Sequence, residues 1–223
     1  MRSGMVTVAG INDATLRHVP LPNLRRATHY MSMPVAERHH WTIDEVERLI
    51  EEREGYTPRY ELVDGELLVT PSPNGRHQRI VAELFLKVNP YVRQHRLGEA
   101  RLGPGAVRLT PDGYFEPDLY VVPSVDGKRP RALDTVTRLL LAAEVLSPGS
   151  VRHDRITKRR FFLRRGVPEY WVVDGDAEAF EVWHPGERRG ELLDEQLVWH
   201  PNGVADAFVL DVRDFFASVA DEG

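Results

Sequence analysis

The 223-residue sequence predicts an α/β (α+β) protein, and three observations carry that expectation. An apolar run from Leu139 to Leu146, interrupted only by Glu144, stops at Pro148-Gly149 and reads as a strand buried on both faces. Amphipathic periodicity marks helices at 43–53 and from Gly75 to about His95. Two apolar, partly alternating runs about Asp64-Gly65 mark a β-hairpin.

Taken in order, residues 1–40 show no sustained periodicity, and Pro20, Pro22 and Pro34 interrupt what there is. They read as a loosely ordered tail, with Met31 or Met33 as an alternative initiator. Residues 41–223 read as a single domain. Thr42 with Glu45 makes a capping box, Trp41 with Val46 a hydrophobic staple, and Ile43, Val46, Leu49 and Ile50 one apolar face. The hairpin spans 60–70 and ends at Pro71 and Pro73. The long helix carries Ile80, Val81, Leu84, Phe85 and Val88 on one face, and Pro90 should kink or end it. Strands are expected at 99–102, 106–110 and 118–122, with a Pro111-Asp112-Gly113 turn and a polar loop at 123–135. After the strand bearing Glu144 comes a helix from about Ser150 to Arg165, closed by Gly166. Tyr170–Val173, Ala179–Trp183, Gln196–His200 and Ala207–Leu210 follow as strands in an acidic C-terminal region.

At this length one domain can bury a full core. No apolar run approaches the ~20 residues of a membrane helix, and no signal-peptide stretch opens the sequence. Zero cysteines exclude disulfides and thiolate metal sites, fit a cytoplasmic setting, and leave oxygen or imidazole to hold any metal. The net charge of -5 is uneven: from Asp174 onward 13 residues are acidic and 3 basic. Arg152 to Arg165 instead carries seven Lys or Arg against Asp154 alone, a density suited to following a phosphate backbone. The plainer reading of such a run is a solvated helix face.

Three carboxylates occupy strand positions that a simple core would not give them: Glu61, Asp118 and Glu144. A buried charge costs several kcal/mol unless a cation, metal or hydrogen-bond network compensates it. If the strands of Asp118 and Glu144 are neighbours, the two carboxylates can share one divalent cation, Mg²⁺ or Mn²⁺, with the main-chain carbonyl of Val145 as a further oxygen. Such an ion polarises a phosphoryl oxygen and activates water. Lys158, in the following helix, is placed to orient that water or to balance charge on the phosphorus centre.

The same residues carry a resemblance. Tyr60-Glu61-Leu62-Val63-Asp64-Gly65-Glu66-Leu67, then Pro71-Ser72-Pro73 with His77, then Pro117-Asp118-Leu119, then Glu144-Val145-Leu146-Ser147-Pro148, then Asp154 and Lys158, then Gly166 to Asp174 resemble the Uma-type restriction endonuclease family of the PD-(D/E)XK nuclease superfamily. The likeness runs from about Trp41 to Trp183. It implies a restriction-endonuclease-like mixed central sheet flanked by helices, with Mg²⁺-dependent phosphodiester hydrolysis at one end. By position Asp118 is the Asp of the Pro-Asp motif, Glu144 the Glu of the second motif, and Glu61 the acidic residue of the first hairpin. The superfamily pattern places a lysine two residues after this Glu, where this chain has Leu146; the lysine is then Lys158 from the following helix.

Each residue also has a purely structural reading. Glu144 could be neutralised by an arginine of the next helix, Asp118 could cap a turn, and Glu61 could pair across strands. Lys158 lies four residues after Asp154, the spacing of an ordinary helical ion pair. His77, in a first helical turn, is more often a surface or capping residue than a ligand. The expectation is therefore a metal-dependent endonuclease with Glu61, Asp118, Glu144 and Lys158 at its centre. Arg152, Arg155, Arg159 and Arg160 would lie against nucleic acid, DNA first, with no membrane partner; folds of this type often pair as homodimers, an assembly that the sequence itself leaves open. The alternative is a non-catalytic nucleic-acid-binding or interaction module on the same fold. A glycosidase built on paired carboxylates ranks last, because the arginine-rich helix suits phosphate.

Overall fold

The computed structural model describes residues 39–220 apart from 56, 106, 111–112, 126 and 129–135. All of the expected tail but His39 and His40, the Pro111-Asp112 half of one turn and most of the 123–135 loop lie outside the described residues.

The polypeptide enters through α1 (Ile43–Glu52), and the capping box forms as expected. The Thr42 amide donates to Glu45 Oε2 at 2.8 Å and the Glu45 amide to Thr42 Oγ1 at 3.3 Å. Trp41 and Val46 join one apolar cluster with Leu62 and Tyr114, which seats α1 on a small antiparallel sheet. That sheet, ordered β2-β1-β5-β4, consists of β1 (Arg59–Val63), β2 (Glu66–Thr70), β4 (Val107–Thr110) and β5 (Gly113–Phe115). Its β1–β2 turn places Asp64 at φ 49° and Gly65 at φ 80°. Two consecutive left-handed residues match the twist of the flanking strands, which is why Asp-Gly marks hairpins. A Cβ on Gly65 would also strike the His40 ring.

The central sheet is six-stranded and mixed, ordered β10-β9-β8-β7-β6-β3. Its members are β3 (Gly98–Leu102), β6 (Leu119–Pro123), β7 (Leu141–Val145), β8 (Tyr170–Asp174), β9 (Ala179–Trp183) and β10 (Glu191–Leu193). Among the described strands only β7 and β8 run parallel, so a crossover must join them. A π-helical turn, His153–Lys158, leading directly into α3 (Arg159–Arg164), provides it.

Every residue of β7 is buried, and the pleat explains how. Leu141, Ala143 and Val145 face Ile80, Leu84, Val88 and Val92 of α2 (Gly75–Gln94). The β11 (Gln196–Trp199) and β12 (Phe208–Asp211) hairpin and α4 (Val212–Ser218) complete that layer. Ala142 faces Phe161, Phe162 and Tyr170 in a second cluster shared with the small sheet. Complete burial of a Leu or Val stabilises by roughly 1.5–3 kcal/mol, so these two faces supply most of the cohesion around β7.

Pro90 corrects one expectation: α2 continues through it to Gln94. The bond lost at Pro90 is to the carbonyl of Leu86, and both residues lie on the exposed side of the helix. Buried Val88 and Val92 hold the helix on either side. Strands β5 and β10 and helix α4 were not anticipated; the strands have three residues each and the helix seven, too short for periodicity to register.

Candidate active site

Glu61, Asp118, Glu144 and Lys158 converge. Leu119 of β6 pairs with Ala143 of β7, so one step further Asp118 stands beside Glu144 on the same face. That face is covered by the β1–β2 hairpin, which brings Glu61, and by the π-helical turn, which turns Asp154 and Lys158 inward. Glu61, Glu144, Asp154 and Lys158 are each at most 1 % exposed. The Lys158 ammonium lies 2.7 Å from Glu61 Oε2, 3.2 Å from Glu144 Oε1 and 3.2 Å from Asp154 Oδ1. None of these three oxygens has a directional hydrogen bond, so the contacts are ionic. Glu61 is anchored through its other oxygen, which accepts from the Glu116 amide at 2.9 Å.

Asp118 is held differently. Its Oδ1 accepts from Arg59 at 2.9 Å, and its Oδ2 lies 3.0 Å from His77 Nε2 and accepts from the Val145 amide at 3.0 Å. An ionised carboxylate only accepts, so His77 Nε2 carries the proton. Val145, expected to offer a carbonyl, makes its observed contribution through its N–H. Burial pushes the Asp118 carboxyl up, but His77, Arg59 and Lys158 outweigh it and hold it well below the usual carboxylate range. At Glu144 burial, reinforced by Asp154, Asp118 and Glu61, wins over Lys158 and raises the carboxyl well above its ordinary value. Asp154 shifts upward as well, burial again leading. For Lys158 burial works against the charge, yet the surrounding carboxylates prevail and the ammonium is stabilised far above its usual range.

Two of these groups, Arg59 and Asp154, were not expected in the site, and His77 was its least favoured candidate. His77, more often a surface or capping residue at such a position, is buried, with its amide capped by Asn74 Oδ1 at 2.8 Å. Arg59 stands two residues before Glu61 on β1, hence on the same face, a spacing the sequence displays. Asp154 is the i–4 partner of Lys158, but that spacing alone describes an ordinary exposed pair. The π-turn that buries both carries no sequence signal.

The arginines divide. Arg155 is committed to Glu181 at 2.6 Å and Asp174 at 2.8 Å. Arg159 lies 3.8 Å over the Trp183 ring; it, Arg152 and Arg160 pair with no carboxylate among the described residues. Arg159, Arg160 and Thr157 line a cleft of about 580 Å³ on the outer side of this helix, opposite Asp64 and Glu66 of the hairpin turn.

The donor set suits a hard divalent cation in kind, because it is made of carboxylate oxygens. Four buried carboxyls, Glu61, Asp118, Glu144 and Asp154, surround two fixed cations, Lys158 and Arg59. Among the described residues no three His, Asp or Glu side chains are grouped to hold a metal ion. Mg²⁺, however, commonly takes only one or two carboxylates and completes its shell with water and substrate oxygen. Asp118, with about four lone-pair sites and three contacts, retains capacity beside Glu144. Among the described residues no helix is long and apolar enough to cross a membrane.

Comparison with known proteins agrees with this architecture. The Uma2 family model, described as putative restriction endonuclease, matches residues 43–213. Among solved structures, a putative nuclease belonging to DUF820 from Anabaena variabilis ATCC 29413 is similar, with 23% sequence identity and a TM-score of 0.65. The match covers 81% of this chain and 99% of that one, and at such identity it shows the fold. No curated protein matches. With most of its length matched by the family model, the chain belongs to the Uma2 family of putative restriction endonucleases.

Proposed function

We propose that the protein is a divalent-metal-dependent nuclease that hydrolyses phosphodiester bonds in nucleic acid, DNA foremost, at Asp118 and Glu144. The observation that carries this reading is the convergence of Glu61, Asp118, Glu144 and Lys158 in one buried cluster. Asp118 and Glu144 are the residues that would hold Mg²⁺ or Mn²⁺, with the Val145 carbonyl nearby, and the ion would supply Lewis-acid polarisation and a more acidic water. Arg59 and His77 keep Asp118 ionised and fix its orientation. Glu61, anchored on the Glu116 amide, holds the Lys158 ammonium in the cluster. That ammonium is the group able to balance negative charge as water adds to phosphorus and the P–O bond to the leaving oxygen breaks. Arg152, Arg159 and Arg160 sequester the phosphate backbone, whereas Arg155 braces the helix against β8 and β9.

Labelled duplex DNA, single-stranded DNA and RNA, incubated with the protein and Mg²⁺ or with EDTA, test this. Cleavage of duplex DNA with Mg²⁺, abolished by EDTA, is expected; cleavage indifferent to EDTA would overturn the metal assignment. A second reading, a non-catalytic nucleic-acid-binding module, is favoured by one observation: Leu146 replaces the usual lysine, and Lys158 is tied to three carboxylates. It predicts salt-sensitive binding with neither metal dependence nor cleavage.

A further inference from the structure

A lysine needed only to neutralise Glu144 would be adequately placed between Glu144 and Glu61. Instead a third carboxylate, Asp154, is buried against it from the same helical turn, 3.2 Å from the ammonium. For a plain ion pair that addition is unfavourable, because each further buried negative charge must itself be compensated. It makes sense in a cluster that must accept more positive charge. Four carboxyls stand around Lys158 and Arg59, so carboxyl groups outnumber the cations that face them. The division of labour is visible in the elements: Glu144 stands on β7 beside Asp118, whereas Asp154 and Lys158 travel together on the π-helical turn.

We propose that Lys158 is the resident counter-ion of the cluster, that its ammonium and a divalent cation compete for Glu144, and that Asp154 is the positioning residue that retains the ammonium when the metal takes Glu144. This rests on the reading of Asp118 and Glu144 as the metal ligands. Metal entry then needs no large movement. The ammonium shifts from a site shared by Glu61, Glu144 and Asp154 to one shared by Glu61 and Asp154, and stays within reach of the substrate phosphate.

The test is calorimetric titration of Mn²⁺ and Ca²⁺ into the full-length protein, compared with Lys158→Met, Asp154→Asn and the double variant. A neighbouring unit charge shifts the affinity for a proton by 1–3 units, so Lys158→Met should bind Mn²⁺ at least about tenfold more tightly. Asp154→Asn should bind several-fold more weakly, since the ammonium then leans on Glu144. The decisive comparison is the double-mutant cycle: with Lys158 already replaced, Asp154→Asn should change Mn²⁺ affinity by less than about twofold. An equal loss in both backgrounds would make Asp154 a direct ligand or a simple field effect and overturn the proposal, as would unchanged or weaker binding in Lys158→Met. Should Lys158→Met fold only with Mn²⁺ present, that dependence supports the competition. Should it fold in neither condition, Asp154→Asn against wild type decides, and unchanged or tighter binding overturns the proposal. A failed contrast with intact Mg²⁺-dependent cleavage overturns this inference alone. An intact contrast without any cleavage overturns the nuclease reading and leaves it standing.

Discussion

Asp118→Asn and Glu144→Gln make the same chemical change at adjacent cross-strand positions, and the structure assigns them opposite effects on stability. Among the described residues Asp118 is the sole carboxylate paired with the Arg59 guanidinium, at 2.9 Å, with the two side chains 5 % and 12 % exposed. Replacing it by an amide removes the negative charge opposite a largely buried cation and sets an NH2 donor against either the Arg59 guanidinium or the Val145 N–H. Breaking a buried pair from one side typically costs about 3–5 kcal/mol. With about 2–4 °C per kcal/mol in a domain of this size, the melting point should fall by roughly 10 °C. Glu144→Gln leaves Lys158 with Glu61 and Asp154 and removes a carboxylate whose burial already disfavours its charge. It should be neutral or stabilising by about 1 kcal/mol.

The pH dependence follows in sign. The depressed Asp118 carboxyl contributes stability at pH values above its unfolded value near 4, and loses it as pH falls further through the folded value. The raised Glu144 carboxyl does the reverse: stability is lost as pH rises from near 4 through its folded value. Thermal denaturation of both variants and the wild type between pH 3 and pH 8 reads all of this. The deficit of Asp118→Asn and the gain of Glu144→Gln should both be present at pH 7 and shrink towards the acid end. A Glu144→Gln variant as destabilised as Asp118→Asn at pH 7 would refute the charge distribution described for the site.

The arginines yield a second contrast. Arg160→Ala should lower the salt dependence of DNA binding by about one unit of the log–log slope, whereas Arg155→Ala, already neutralised by Glu181 and Asp174, should barely change it. Filter binding over a range of NaCl concentrations checks both, and an equal change for the two would contradict the division. Tyr170→Phe removes the hydroxyl that donates to the Asp154 carbonyl at 2.9 Å inside the core. It should cost about 1–3 kcal/mol in urea denaturation, the range for a buried acceptor left unpaired; a loss below about 0.5 kcal/mol would show that the π-turn does not depend on it.

Much of the site was legible because charge stood where apolar periodicity forbids it. Glu144 interrupts a strand buried on both faces, Glu61 sits in a hairpin strand, and Asp118 follows Pro117 at a strand start. The hairpin was legible because Asp64-Gly65 is a local signal. What stayed hidden depended on long-range partners. Arg59 reads as an ordinary edge cation until Asp118, far along the chain, arrives beside it. His77 reads as a surface residue until α2 lays its first turn against the end of β6. Asp154 and Lys158 looked like a surface helical pair because the π-turn that buries them is imposed by packing against Tyr170 and Glu61, not by local propensity. The continuation of α2 through Pro90 belongs with these, since it rests on Val88 and Val92 packing against the sheet on either side.

The most direct measurement is nicking of supercoiled plasmid DNA by the wild type, Asp118→Ala and Glu144→Ala, each confirmed folded, in Mg²⁺ and in EDTA. The account predicts nicking by the wild type in Mg²⁺ alone and a loss of at least about a hundredfold in both variants. Nicking that survives both substitutions, or that persists in EDTA, would contradict it.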